Sequence, residues 1–303
     1  MTEIINSLFF YIVFPGFLFS FVLSIFVGYI DRKLTARLQY RKGPSIMQNL
    51  YDFFKLLLKE VTIPENANFM FLIAPFISFA CIILSATILW LVIFFKKSFV
   101  GDIIVLIYIM TIPSLMLILG ASSSGNAIAS VGVAREMKML LSYELPFITS
   151  LLVPIIQSKS IKLLDIMQNN YLTVFSFISF LITLIILHAK LNFVPFDAQE
   201  AETELAGGIL IEYSGLLLGL IKLTKQILLS IVPAFLVLLY FNGGRNLILF
   251  FIEYLLVLII IIMIKNTNPR LKIDQVLKFF WFWIFPISLL NSILSLIFKI
   301  SFK

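Results

Sequence analysis

The chain of 303 residues contains one cysteine, Cys81, and one histidine, His188. That scarcity excludes a Cys/His metal centre, a cysteine-held iron–sulfur cluster and an internal disulfide framework. Any redox centre associated with the protein therefore belongs to another chain. Charge is also scarce: 13% of residues are charged, where soluble domains average about 25%. Hydrophobic residues make up 61%, and the mean hydropathy is +1.07. Too few polar groups are present to cover a water-facing surface, so a soluble globule is excluded. What the chain has instead is long apolar runs rich in phenylalanine, with 32 of them. An all-α integral membrane protein is the fold class these runs predict.

A helix needs about 20 apolar residues to cross the hydrocarbon core. Eight stretches qualify, near 4–30, 69–95, 103–121, 139–157, 171–189, 211–241, 246–264 and 276–300. The first lacks a basic start and a small-residue cleavage site, so it reads as a span and not as a signal peptide. The sixth carries Lys222 and Lys225 near its start, which implies tilt or partial exit from the lipid. With no repeat and no soluble linker, 1–303 reads as a single polytopic membrane domain. An even number of spans places both termini on one side. Fourteen of the 23 basic residues fall on the side of the 31–68 loop, against seven on the other. The positive-inside rule makes that loop cytoplasmic and both termini external, in a multi-pass protein of the cell membrane. The net charge of +7 is thus largely topological, and a nucleic-acid surface is not expected.

The first cytoplasmic loop reads DRKLTARLQYRKGPSIMQNLYDFFKLLLKEVTIPENAN. After the Gly43-Pro44 turn, Ile46, Leu50, Phe53, Phe54, Leu57 and Leu58 recur at helical spacing, with Asp52, Lys55 and Lys59 on other faces. This predicts an amphipathic helix lying at the membrane surface. It serves as an interfacial anchor, as a docking platform for a cytoplasmic partner, or as both. The loop after the third span, GASSSGNAIASVGVAREMKMLLSYELPF, leads into Arg135, Glu136 and Lys138, and Glu144 follows inside the fourth span. Glu144 lies eight residues, about 12 Å of helix, beyond Glu136. Acids at membrane depth are functional candidates because they are costly unless paired, protonated or hydrated.

The loop NFVPFDAQEAETELAGGILIEYSG gathers five of the chain's 16 acids: Asp197, Glu200, Glu202, Glu204 and Glu212. If 197–204 is helical, Asp197, Glu200 and Glu204 share a face at i, i+3 and i+7. Crowded carboxylates raise one another's pKa and titrate together, a physical basis for proton relay. The alternative is a solvated acidic turn. Apolar flanks on both sides, and a Gly207-Gly208 bend back towards the membrane, favour a polar cavity mouth in line with Glu136 and Glu144. Lys222, Lys225 and Glu253 extend this charge path through the membrane, snorkel to an interface, or pair with each other. His188 reads as interfacial, and Cys81 as packed among apolar side chains.

The ordered motifs DRK…ARLQYRKGP, AREMKMLLSYE and PFDAQEAETELAGG…EYSG resemble the complex I membrane junction subunit family, over essentially the whole chain. Direct passage from the first loop's GP into SIMQNLYDFFKLLLKE, and the form of the acidic loop, resemble the energy-converting, membrane-bound nickel–iron hydrogenase branch. The resemblance implies a non-catalytic membrane subunit coupling ferredoxin-driven proton reduction to H⁺ or Na⁺ transport. It implies no cofactor in this chain, with a nickel–iron centre and iron–sulfur clusters in partners. Those partners are a hydrogenase large subunit, an iron–sulfur small subunit and antiporter-like membrane subunits. It also implies a proton path through Glu136, Glu144, Asp197, Glu200, Glu202, Glu204 and Glu212, and docking of the peripheral arm at Arg32, Arg37 and Arg41. A complex I-type quinone reductase, or a related ferredoxin-driven complex, is the alternative host. A stand-alone secondary transporter is disfavoured because no paired inverted repeat is visible.

Overall fold

The computed structural model describes residues 9–169, 173–200, 202–241 and 246–301. Among these the regular structure is entirely helical. The principal helices are α1 (Phe17–Leu38), α2 (Gln48–Leu57), α3 (Phe69–Phe95), α4 (Asp102–Ser122), α5 (Ala127–Ser158), α6 (Leu163–Gln168), α7 (Val174–Lys190), α8 (Gly215–Tyr240) and α9 (Leu247–Thr267). They are followed by α10 (Ile273–Lys278), which runs through a π-helical stretch, Phe279–Ile284, into α11 (Phe285–Ser301). Among the described residues seven helical segments are long and apolar enough to span a membrane, and α7, at 17 residues, is a shorter apolar eighth. The protein is an all-α membrane protein with about eight spans.

The boundaries differ from the hydropathy reading in informative ways. The first apolar run breaks at 13–16, before α1, and α1 then carries helix as far as Leu38 into the basic segment. A Cβ at Gly16 would stand 1.8 Å from the Tyr11 carbonyl oxygen, so glycine is needed where the chain folds on itself. The fourth span starts twelve residues earlier than its apolar run near 139–157, at Ala127. Arg135, Glu136 and Lys138 therefore lie within α5 and not in the loop before it. Hydropathy averages hide a helix whose first turns are small and charged. Prolines interrupt several spans: Pro75, Pro113, Pro146, Pro154 and Pro233. Spanning helices tolerate them where side-chain hydroxyls and neighbours satisfy the freed carbonyls. In α5 the Ser179 hydroxyl of α7 does this, donating to the Ser150 carbonyl, four residues before Pro154.

The surface helix is present as α2. Its Asn49 is buried and donates to the Ile25 carbonyl of α1 at 3.2 Å, and Phe53 meets Phe21 edge to face at 5.6 Å. Leu58, just past its end, is 88% exposed.

The chain forms two compact units. The first comprises residues up to Trp90, Leu106–Met137 and Gln199–Ile231. Its core includes Phe71, Leu117, Ala121, Ile209, Tyr213, Leu217 and Ile221, with the Phe71 and Tyr213 rings stacked at 4.4 Å. The second comprises Leu91–Val105, Lys138–Ala198 and Val232–Lys303. At its centre the Tyr240 hydroxyl lies 2.9 Å from Ser179 and 2.7 Å from Thr183, while Ser179 donates to the Ser150 carbonyl. Buried Asp102 accepts from the Leu163 amide at 2.7 Å and ties the start of α4 to α6.

Candidate functional site

The acidic loop is not a single helix. Residues 197–200 form turns, Glu202–Leu205 is one helical turn, and Gly207 and Gly208 take φ values of +97° and +52°. A Cβ on Gly208 would lie 2.0 Å from the Gln199 carbonyl oxygen. The left-handed pair turns the chain sharply back into a short 3₁₀ segment, Gly208–Leu210, as the glycine pair predicts. The shared carboxylate face at 197, 200 and 204 does not form. Each of these acids is matched to its own base, because the broken backbone splays the side chains in different directions.

In the first unit, Glu200 is ion-paired and hydrogen-bonded with Lys225 of α8. The carboxylate of Glu136, 1% exposed on α5, acts electrostatically on the same lysine. Three charges from three distant parts of the sequence thereby form one group, with a base flanked by two acids. Beside Glu136 in sequence, Arg135 pairs with Glu204 at 2.6 Å. Glu212 accepts a hydrogen bond from Asn126, the residue before α5. The neighbouring Tyr213 ring is buried against Phe71, and burial pushes its hydroxyl pKa up.

In the second unit, Arg270 clamps Asp197 with two parallel hydrogen bonds, Nε to Oδ1 at 2.8 Å and Nη2 to Oδ2 at 2.5 Å. Planar two-point pairing of this kind fixes orientation as well as charge. Half-buried Glu144 acts electrostatically on Lys190, the last residue of α7. Lys190 is 2% exposed and its Nζ stands 4.9 Å from the centroid of the Phe147 ring. Two residues earlier, buried His188 bonds through Nε2 to the Val194 carbonyl at 2.7 Å, with Phe193 and Phe196 edge-on to the ring.

The chain as a whole is similar to known proteins. The family model described as NADH dehydrogenase matches residues 10–296 of this chain. The chain belongs to the NADH dehydrogenase family of membrane subunits. It is 30% identical to the H subunit of the NADH-quinone oxidoreductase of Geobacillus thermodenitrificans, over 94% of this chain and 93% of that protein. It is 32% identical to the corresponding protein of Carboxydothermus hydrogenoformans, over 91% and 85% of the two chains. Its fold is similar to that of a chain in the membrane-bound sulfane sulfur reductase, an archaeal respiratory membrane complex. The TM-score is 0.84 at 22% identity, covering 92% of this chain and 96% of that one. The named relatives are themselves subunits of membrane oxidoreductases.

In this member of the NADH dehydrogenase family, the expected residues separate into groups. Glu136 and Glu200 converge on Lys225, the base that the sequence left open between a path and an interface. Lys222, three residues away, is exposed, and its charge acts on Asp52 of α2. The two lysines thus serve different surroundings. Asp52 is held below the ordinary carboxylate range: its partial burial works the other way, and hydrogen bonds from Arg32 and Gln48 with the Arg32 charge outweigh it. Arg32, Arg37 and Arg41 are all solvent-exposed. Glu253 is half-buried in α9, and its Oε2 has no hydrogen-bond partner among the described residues. The Glu202 side chain lies outside the described set, as do Arg245 and Lys303 of the charge count.

Two participants were missed in the sequence. Lys190 and Arg270 are not among the site residues named from the sequence, yet Arg270 pairs with Asp197 and the charge of Glu144 acts on Lys190. The available signal was position: one closes α7 just before the acidic loop, and the other lies just before α10.

Proposed function

We propose that this chain couples electron transfer in a docked peripheral arm to ion transport, through the carboxylates Glu136, Glu144, Asp197, Glu200, Glu202, Glu204 and Glu212. The observation that carries this reading is the Glu136–Lys225–Glu200 group. Two acids from separate motifs meet at one base inside a membrane protein, where unmatched charge is expensive. A base between two acids hands a proton either way with little net change in charge, and conformational change in the loop shifts the balance. Exposed Arg32, Arg37 and Arg41, beside the amphipathic α2, form the docking face for the arm, with the 31–68 loop on the cytoplasmic side and the termini outside. Electrostatic complementarity there sets orientation and specificity of docking. Lys222 belongs to this surface; Lys225 belongs to the path, and Glu253 is its candidate continuation towards antiporter-like membrane subunits.

The host complex is a complex I-type oxidoreductase, and near-full-length similarity to membrane proteins of NADH-quinone oxidoreductases supports a quinone-reducing arm. The second reading is a ferredoxin-driven hydrogenase, with a nickel–iron large subunit and an iron–sulfur small subunit as partners. It is favoured by the short passage from Pro44 to α2 and by the PFDAQEAETELAGG form of the acidic loop. In either host this chain itself holds no cofactor.

One preparation tests both levels. Purified complex reconstituted in vesicles and carrying Glu144→Gln is expected to assemble and transfer electrons while its ion gradient per electron falls sharply. An undiminished H⁺ or Na⁺ gradient removes Glu144 from the path. Nickel in that preparation, with two CxxC pairs in the large subunit, selects the hydrogenase host; their absence with quinone reduction selects the other.

A further inference from the structure

Lys190 has no assigned role in the path described above, yet its surroundings are unusual for a structural lysine. It is 2% exposed at the end of α7, and among the described residues its Nζ makes no hydrogen bond. What it meets is the face of Phe147, at 4.9 Å from the ring centroid. The charge that acts on it is that of Glu144, one helical turn before Phe147 on α5. Residues at i and i+3 share a helix face, so the ring and the carboxylate present themselves to Lys190 together. A ring face gives an ammonium weak support compared with the hydration that burial removes. A buried lysine retained for structure alone is expected to have carbonyls or a carboxylate in hydrogen-bond contact. Here the one charge that acts on it is that of Glu144, from the helix face that also carries the Phe147 ring.

We propose that Lys190 is the proton-exchanging partner of Glu144, so that the path in this chain includes a lysine as well as carboxylates. In the exchange, the proton on the Glu144 carboxyl is taken up by the lone pair of the Lys190 amine, leaving a carboxylate and an ammonium; the reverse step restores the acid and the amine. No net charge enters or leaves the pair. Lysine suits this work, because a buried lysine exchanges its proton whereas arginine holds its own. The proposal rests on the carboxylate-path reading, in which Glu144 transports protons.

The test uses the assembled complex in vesicles, with ion gradient and electron transfer measured on the same preparation. Lys190→Met keeps length and apolar packing. It is expected to leave assembly and electron transfer at wild-type levels while the gradient per electron falls to that of Glu144→Gln. The double variant is expected to be no worse than either single one, because two groups of one exchange are not additive. Lys190→Arg keeps the charge and not the exchange, and is expected to fail like Lys190→Met. Recovery of the gradient by arginine, or a wild-type gradient with Lys190→Met, overturns the proposal. If Lys190→Met assembles poorly, Lys190→Gln takes its place and is read the same way. An impaired Glu144→Gln with an unimpaired lysine variant overturns this inference alone. Unimpaired Glu144→Gln removes Glu144 from the path and this inference with it.

Discussion

Two lysines, Lys225 partly buried and Lys190 fully buried, are held in opposite ways. Lys225, in the first unit, has Glu200 in direct contact and Glu136 acting on it. Lys190, in the second, has an aromatic face, no hydrogen bond among the described residues, and a carboxylate acting on it. Removal of one member of a well-made buried pair leaves a stranded charge, which is strongly destabilising. Removal of a buried charge that lacks a direct partner removes a liability. The same residue type thus anchors structure at one site and adds little to it at the other, and only the partners distinguish them.

The largest expected effect follows from breaking the first of these arrangements. Glu200→Gln keeps the shape and removes the charge beside Lys225. The pair is about a quarter exposed (29% and 24%), so the loss is discounted from that of a fully buried pair to about 2–3 kcal/mol. Thermal unfolding of the detergent-solubilised complex is expected to show a lowered midpoint with Glu200→Gln and an unchanged or raised one with Lys190→Met. Equal shifts in the two variants erase the contrast between the lysines.

A smaller effect tests whether the loop backbone is what delivers Glu200 to its base. Gly208 approaches the Gln199 carbonyl oxygen, the peptide link immediately before Glu200, and its φ is +52°. Gly208→Ala combines a left-handed φ with a steric clash, a strain of about 1–3 kcal/mol. The chain relieves it by shifting 199–200, so the Lys225 contact weakens along with stability. Combined with Glu200→Gln, the glycine change is expected to cost less than it does alone, since the contact it disturbs is already gone. Full additivity in that double variant separates the bend from the ion pair.

Much of this was readable beforehand and some of it was not. The spans, the amphipathic α2 and the glycine-driven bend are local consequences of composition and periodicity, and all three appear in the structure. The acids Glu136 and Glu200 stand out in sequence because charge is scarce in an apolar chain. The bases that meet the acids of the path do not, because Lys225 lies 25 residues from Glu200 and Arg270 lies 73 from Asp197, in no fixed register, and only packing brings them in. The assumption of a continuous helix over 197–204 also made three acids into neighbours that a broken backbone instead assigns to three different cations.

The smallest expected effect supplies a solvated reference for both lysines. Arg32 and Asp52 pair at 2.6 Å with side chains 46% and 41% exposed, at the docking face outside the spans. Water screens such a pair and side-chain ordering opposes it, so Arg32→Ala is expected to cost only about 0.2–1 kcal/mol. The sign of its pH dependence follows from Asp52, whose carboxyl is held below its ordinary range in the folded protein. A lowered native pKa means stability that is fully present above the unfolded carboxylate range and is lost as pH falls through the native value. Wild type and Arg32→Ala are therefore expected to differ in unfolding midpoint near neutral pH and to converge in acid. Added salt near neutral pH is expected to close the same gap, while leaving the larger Glu200→Gln difference mostly in place. A gap at Arg32 that survives both acid and salt means that the arginine stabilises by packing its aliphatic stem, and the exposed pair then ceases to be an electrostatic reference for the buried ones.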